Sequence, residues 1–412
     1  MGESMWRDGK TFLLCMVIAA GILNYADRQI IAVLKPLLER ELHWSDVDYG
    51  NLASIFQFSS AVALLFAGAL VDRIGWRRAN PLAVGSWSLA AMAHAFARNG
   101  MQMGAARLSL GATEALATPT AIKTIAATFS VQERSFAIGV MNAANGLGAI
   151  LTPLLLPLLV VLVGWQGGFL VVGGLGLVWV GVWQVWRPDL KVVAQAAPAP
   201  APLQDAQRTS WRLALSDRRT WAIAIAKIMS DQVWWLLLFW TPDLFHRVYH
   251  LNMTGFGLPI ALIYCGASVG SLAAGRASQI MLRRGVSLDR TRKLSLLVLG
   301  LMTLPLSLAP HVGNYWIATG ILALTLAAHQ GYSTNIFTLC TDIIPRANVA
   351  TVVSFGAFCG NMAGMLILQA AGRMLDAGFG YGPLLAYASV AYLLGLGAIQ
   401  LLTPRLEPVP DQ

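Results

Sequence analysis

Charge is scarce in these 412 residues: 12% are Asp, Glu, Lys or Arg against 56% hydrophobic, and the mean hydropathy is +0.61. A soluble globular domain carries about twice that charged share, so a water-soluble enzyme or binding module is excluded. Acid is scarcer than base, 20 residues against 29, which leaves a net charge of +9. No stretch gathers the basic residues into a domain, so a nucleic-acid-binding module is excluded as well. Cysteine is down to Cys15, Cys265, Cys340 and Cys359, all inside apolar runs. They read as small core hydrophobes, with no disulfide framework and no metal-ligand spacing. The 6 histidines are scattered, and no nucleophile-base pair or ligand cluster gathers at one depth. The chain is therefore read as no enzyme, with no cofactor and no metal.

Long apolar runs are abundant instead. They fall at roughly 11 to 36, 48 to 72, 80 to 98, 101 to 128, 135 to 160, 165 to 186, 219 to 245, 255 to 282, 294 to 310, 313 to 340, 348 to 372 and 381 to 402. At ~1.5 Å per residue each suits a helix crossing ~30 Å of hydrocarbon, and barrel strands would be shorter and strictly alternating. An all-α membrane protein of twelve transmembrane helices is expected. Basic residues cluster on alternate connections, among them Arg7, Lys10, Arg73, Arg77, Arg78, Arg283 and Arg284, while the opposite side has Arg40, Arg98, Arg247 and Arg373. That asymmetry puts both termini in the cytoplasm. The first ten residues are polar and lack a small-residue cleavage site, so the first run reads as a retained span. The stretch RPDLKVVAQAAPAPAPLQDAQRTS, Arg187 to Ser210, is too polar and Pro-rich to span or pack. It divides an N-terminal six-helix bundle, 1–187, from a C-terminal one, 211–412, with a cytoplasmic linker at 188–210. Two such halves are what a rocking transporter requires.

The spans carry ionisable groups where hydrocarbon disfavours them. NYADRQ, Asn24 to Gln29, sets Asp27 and Arg28 near the middle of the first run. An ionised group there costs at least ~2.5 kcal/mol, so it faces a cavity or a partner. It is either a site or a self-neutralising pair that locks two helices. In the fourth run, RLSLGATEALATPTAIK, Arg107 and Glu114 are seven apart and share a helix face, with Lys123 turned inward. Glu114 is level with Asp27, and is either functional or a helix-helix ion pair with Arg28 or Arg107. The fifth run offers Asn142 and Asn145, the latter either a cavity residue or interhelical glue. The seventh, AKIMSDQVWWLLLFWTPDLFHR, brings Asp231 with Trp234, Trp235 and Trp240 above it. The tenth brings His329, Gln330, Tyr332, Ser333, Thr334 and Asn335, joined by Asn361 on the eleventh. So many hydrogen-bonding groups suit a hydroxyl-rich ligand better than packing.

After the second span, GALVDRIGWRR places Gly68, Asp72, Arg73, Gly75 and Arg77 at a cytoplasmic helix end. The glycines permit close helix approach and a tight turn, and Asp72 can meet a neighbouring helix N-terminus or an Arg, which reads as a gate latch. This spacing resembles the loop signature of the major facilitator superfamily. Its second copy, GRASQIMLRRG, keeps the arginines without the acid. NYADRQ, GATEALATPTAIK, DQVWWLLLFWTP and AHQGYSTNIFTLCTDIIP together resemble the anion:cation symporter family within it, and there the bacterial hexuronate transporters, over nearly the whole chain outside the linker.

The resemblance implies the major facilitator fold and coupling of an organic anion to protons. It implies Asp27 and Glu114 as protonation sites and Arg28 as the partner of the substrate carboxylate. A fifth-span Gln of sugar-acid members falls on Asn145, a shorter amide, and a seventh-span Arg of vesicular relatives falls on Ser230. A hexuronate needs one cation, a ring of amides and hydroxyls, and an aromatic surface. Arg28 supplies the cation, Tyr25, Gln57, Asn145, Gln330, Asn335 and Asn361 the ring, and Trp235 the platform. The expected partners are a sugar acid anion, protons and the lipid of a bacterial inner membrane, with the chain a monomer. Alternatives are an aldonate or another small organic anion as cargo, or a non-transporting nutrient sensor of the same fold.

Overall fold

The computed structural model describes residues 2–129, 131–185 and 215–406; the expected linker at 188–210 lies outside them. Twelve α-helices are distinguished among the described residues: α1 Gly2–Leu42, α2 Asp46–Ile74, α3 Trp76–Ala93, α4 Gly100–Glu114, α5 Ala117–Thr128, α6 Val131–Val185, α7 Arg218–Tyr249, α8 Gly257–Arg283, α9 Leu288–Met302, α10 Tyr315–Ile343, α11 Arg346–Asp376 and α12 Gly382–Leu402. Eight segments are long and apolar enough to cross a bilayer by composition alone. The polar tenth run is not among them, in keeping with the density of hydrogen-bonding groups that α10 carries.

Two local features turn these helices into twelve passes. Within α6 the chain leaves helical geometry at Gly164, φ 72° and ψ 173°, a region open to glycine. At ~1.5 Å per residue so long a helix is far longer than one ~30 Å bilayer needs, so the kink makes it the fifth and sixth passes. The fourth pass is the opposite case, one run split into α4 and α5 at Ala115 and Leu116. Pro119 explains the break: it has no N–H to offer the carbonyl of Ala115, four residues back, and its ring crowds that carbonyl. Large apolar side chains cover the outside, with Phe66 68%, Leu272 78% and Leu401 82% exposed. Such a surface belongs in lipid.

The chain divides into two compact units, one of Met1–Leu42 with Ile55–Gln204 and one of His43–Ser54 with Asp205–Gln412. In the first, Gly75 alone links α2 to α3, at φ 76°, and accepts hydrogen bonds from Arg78 and Ala79. A residue with a Cβ would be strained there. Val17, Ile125, Phe129, Ala137 and Met141 pack α1, α5 and α6 together. In the second unit, the opening turns of α2 are held by Arg247, which binds Asp46 at 2.6 Å and Asp243 at 2.9 Å, and by Tyr49, whose hydroxyl donates to Phe239 O at 2.7 Å. Cys340 is buried as expected of a core cysteine, while Cys15 and Cys265 are exposed on the apolar surface and all four are free thiols.

Candidate functional site

In the first unit, small residues bring charged ones together. Gly111 on α4 rests against α2, where a Cβ would stand 2.4 Å from Phe56 O and 2.2 Å from Ser59 Oγ. Gly148 on α6 rests against α1, 2.6 Å from Ile22 O and 2.9 Å from Tyr25 Cβ by the same measure. Helices this close leave no room for side chains except at the ends of each contact. There sit Tyr25 and Arg28 on α1, Phe56 and Gln57 on α2, and Arg107 and Glu114 on α4.

Arg28 Nε donates to Glu114 Oε2 at 2.5 Å, an ion pair whose acid is fully buried. The two open readings of the first and fourth spans are thereby joined: Arg28 pairs with Glu114 across two helices and not with its neighbour Asp27. The Arg28 guanidinium also lies 5.4 Å from the Tyr25 ring and 5.8 Å from the Phe56 ring. Arg107, wholly buried, lies 4.6 Å from the same Phe56 ring. Two cations thus share one aromatic ring, an arrangement that favours charge kept out of water.

Both acids keep an oxygen without a hydrogen bond among the described residues. Asp27 is 1% exposed, and its Oδ1 has no hydrogen-bond partner among the described residues. The same holds for Glu114 Oε1 and for both polar atoms of Gln57. Buried polar atoms are nearly always paired in proteins, and those left over mark a place where something else binds. Beside Arg28 a cavity of about 90 Å³ is lined by Asn24, Tyr25, Asn80, Trp87 and Thr120 among others. Trp87 Nε1 and Thr120 Oγ1 around it also have no hydrogen-bond partner among the described residues. The cavity has room for about three waters or a carboxyl head, and is well below the ~300 Å³ of sites that enclose a whole small ligand.

The second unit holds the other expected residues, and they divide. Gln330 and Asn361 are half-buried, with no side-chain hydrogen bond among the described residues. Trp235 is half-buried and packs on Gly364, whereas Trp240 is buried and Trp234 stacks on His329 at 5.0 Å. Asn335 departs from expectation. It is 1% exposed and engaged at both ends: Oδ1 accepts from Ser278 at 2.9 Å and Arg292 at 3.4 Å, and Nδ2 donates to Gly331 O at 3.0 Å. A side chain so engaged joins α8, α9 and α10, and its carbonyl oxygen has no acceptor site left for a ligand. Asn335→Ala is expected to lower the thermal unfolding midpoint in detergent, at a cost of about 1–3 kcal/mol from the groups left unpaired, with the affinity for ligand unchanged. A loss of affinity without a loss of stability would restore Asn335 to the site. Asn145 lies in α6, with its side chain outside the described ones.

At the end of α2, Asp72 meets Lys123 at 2.5 Å, and the amine also donates to Val71 O at 3.2 Å. Among the described residues neither a helix N-terminus nor an arginine is its partner, and Lys123 is not turned inward: the break before α5 carries it to the end of α2. Arg73 and Arg77 are exposed, with Arg77 over the Trp76 ring at 5.5 Å. Gly68 also differs from expectation, since nothing lies within 4 Å of where its Cβ would be and no helix approaches it closely. Arg107, read as sharing a face with Glu114, is wholly buried, and Lys227, a basic residue inside the seventh span, is nearly so.

The model of the Major Facilitator Superfamily matches residues 17–368. The chain belongs to that superfamily. Within the Major Facilitator Superfamily it is 24% identical over 396 residues to the Hexuronate transporter of Escherichia coli (strain K12), covering 93% of this chain and 91% of the relative. It is 24% identical over 416 residues to the D-galactonate transporter of Escherichia coli O6:H1, covering 96% of each. Among solved structures it is similar to a bacterial homologue of the human lysosomal transporter Spinster, in an inward-facing and unoccupied conformation. The TM-score is 0.71 at 18% identity, over 96% of this chain and 95% of that one. Helix order and fold are those of the Major Facilitator Superfamily.

Proposed function

We propose that this chain takes up a sugar-acid anion together with protons by alternating access, the anion being a hexuronate such as galacturonate or glucuronate. The observation that carries the reading is the ion pair of Arg28 with Glu114 inside a span, beside an Asp27 whose Oδ1 has no hydrogen-bond partner among the described residues. Removing such a charge pair from water is expensive, and a pair kept only to join helices is often replaceable by apolar residues without loss. A pair whose partners exchange has a reason to persist.

The exchange runs through Arg28. An incoming carboxylate competes with Glu114 for the guanidinium, and a planar fork binds either acid equally well. Glu114, once released, is an unpaired buried acid and takes a proton. Moving an anion inward against a potential negative inside costs ~2.3 kcal/mol per charge per 100 mV, which an accompanying proton cancels. Asp27 is the second acid in reach of this chemistry. Tyr25, Gln57, Asn145, Gln330 and Asn361 are the proposed donors and acceptors for hydroxyls, and Trp235 the proposed face for the sugar ring. Asp72, Arg73, Gly75 and Arg77 form the cytoplasmic latch, with Lys123 as the partner of Asp72. The two six-helix halves, joined by a cytoplasmic linker at 188–210, sit in a bacterial inner membrane as a monomer with both termini inside.

The relatives support cargo of this class by their names, hexuronate for one and D-galactonate for the other. The second name favours an aldonate as the alternative cargo. Uptake of labelled galacturonate, glucuronate and galactonate into proteoliposomes under an inward proton gradient separates the two. Hexuronate uptake above galactonate is expected. The reverse order selects the aldonate, and no uptake of any of them refutes the transport of sugar acids.

A further inference from the structure

The cavity beside Arg28 lies wholly within the first unit, among α1, α3, α5 and α6. Its walls follow helical spacing: Gly21, Asn24 and Arg28 step along α1, and Asn80, Ala83 and Trp87 along α3. Ala117 and Ala121 on α5 carry only a methyl group, as does Ala83, and that leaves the space open.

Two donors on these walls depart from the habit of their neighbours. On α5 the hydroxyls of Thr124 and Thr128 each donate to the carbonyl four residues back, at 2.8 Å and 2.7 Å. Thr120 stands on the same face with the carbonyl of Leu116 four residues back, yet its Oγ1 has no hydrogen-bond partner among the described residues. The buried tryptophans of the unit give the same contrast. Trp165, Trp179 and Trp183 each donate through Nε1, to Glu41, Met16 O and Arg77 O. Trp87 is buried as deeply, at 2% exposed, and its Nε1 has no such partner among the described residues. A buried donor is costly to leave unmade, and one kept beside a cavity is completed by what enters it.

We infer that this cavity is a socket for the carboxylate of the cargo, and that Trp87 and Thr120 are substrate-binding residues beside Arg28. The inference rests on the sugar-acid reading and adds two residues to its site. A carboxylate offers only acceptors, about four lone-pair sites on two oxygens, and the socket meets them with an indole N–H, a hydroxyl and the guanidinium. Its volume of about 90 Å³ admits such a head and excludes a sugar ring, whose hydroxyls therefore stay outside. The two donors also give the exchange at Arg28 its direction. A guanidinium takes either carboxylate equally well, so Glu114 yields only to an acid that gains more than Arg28 by moving in. Trp87 and Thr120 supply that gain. When the acid leaves, both donors are unpaired again and Arg28 returns to Glu114.

The test is a thermal-shift titration of the purified full chain with galacturonate and, separately, with formate, which is little more than the head alone. Trp87→Phe removes the N–H and keeps an aromatic ring, and Thr120→Val removes the hydroxyl at nearly the same size. Each variant is expected to bind galacturonate about tenfold more weakly, the worth of one hydrogen bond to a charged group, and formate weaker by the same factor. The unfolding midpoint without ligand is expected to hold or rise, since neither donor has a partner to lose. Galacturonate affinity unchanged in both variants overturns the inference and leaves the cavity to water. A loss for galacturonate that formate does not share overturns it too, by giving the donors to a sugar hydroxyl. If one variant fails to fold, the other decides. Wild type that binds formate but no sugar acid overturns the sugar-acid reading and leaves the socket standing.

Discussion

Arg28→Ala is expected to abolish binding of the sugar acid, with affinity falling by about 100-fold or more in a direct binding assay on purified protein. Two losses add. The carboxylate forfeits charged hydrogen bonds worth about 1.5–3 kcal/mol, and Glu114 is left buried without its cation, a change that costs about 3–5 kcal/mol when a buried pair is broken. Part of the second cost is met by protonation of Glu114, so the variant is expected to fold. Arg28→Lys separates charge from shape: a point charge keeps attraction but cannot bind two oxygens of one carboxylate at once. It is expected to fall between wild type and alanine. Unchanged affinity in Arg28→Ala would remove Arg28 from substrate recognition.

Glu114→Gln is expected to leave exchange of labelled against unlabelled substrate intact while abolishing accumulation driven by a proton gradient. The amide oxygen still accepts from Arg28, so the helices stay joined and the cation stays placed. What the amide cannot do is take up or release a proton. Binding and movement survive, and the link to the gradient is lost. Full accumulation by this variant would transfer the coupling to Asp27, the other acid at this depth.

Much of the architecture was legible in the sequence because hydrocarbon allows so few solutions. Apolar runs of bilayer length have to be helices. What composition alone left unread was where a run bends. Pro119 breaks the fourth pass, read as one run over 101 to 128, through a missing N–H, whereas Gly164 falls in the gap already read between the fifth and sixth runs. That break also accounts for Lys123. Measured along a continuous helix it turns inward with Glu114, but on a separate α5 it reaches Asp72 instead.

The site was legible as depth and not as partnership. Asp27, Arg28 and Glu114 stand out as ionisable residues in apolar runs, yet which acid Arg28 holds depends on how α1 and α4 cross, set by contacts such as Gly111 on Phe56. Asn335 shows the limit most plainly. It is one of six polar residues in a short stretch, and the sequence does not reveal that Ser278 and Arg292, on two other helices, already occupy it. Lys227 is the converse case, a base whose partner, Asp231, lies on its own helix.

The central claim is tested most directly by following external pH and labelled galacturonate together in the same proteoliposomes, with no proton gradient imposed. Adding the acid outside is expected to make the external medium alkaline in step with uptake, and the signal is expected to be absent with Arg28→Ala. Uptake without any movement of protons would contradict the account.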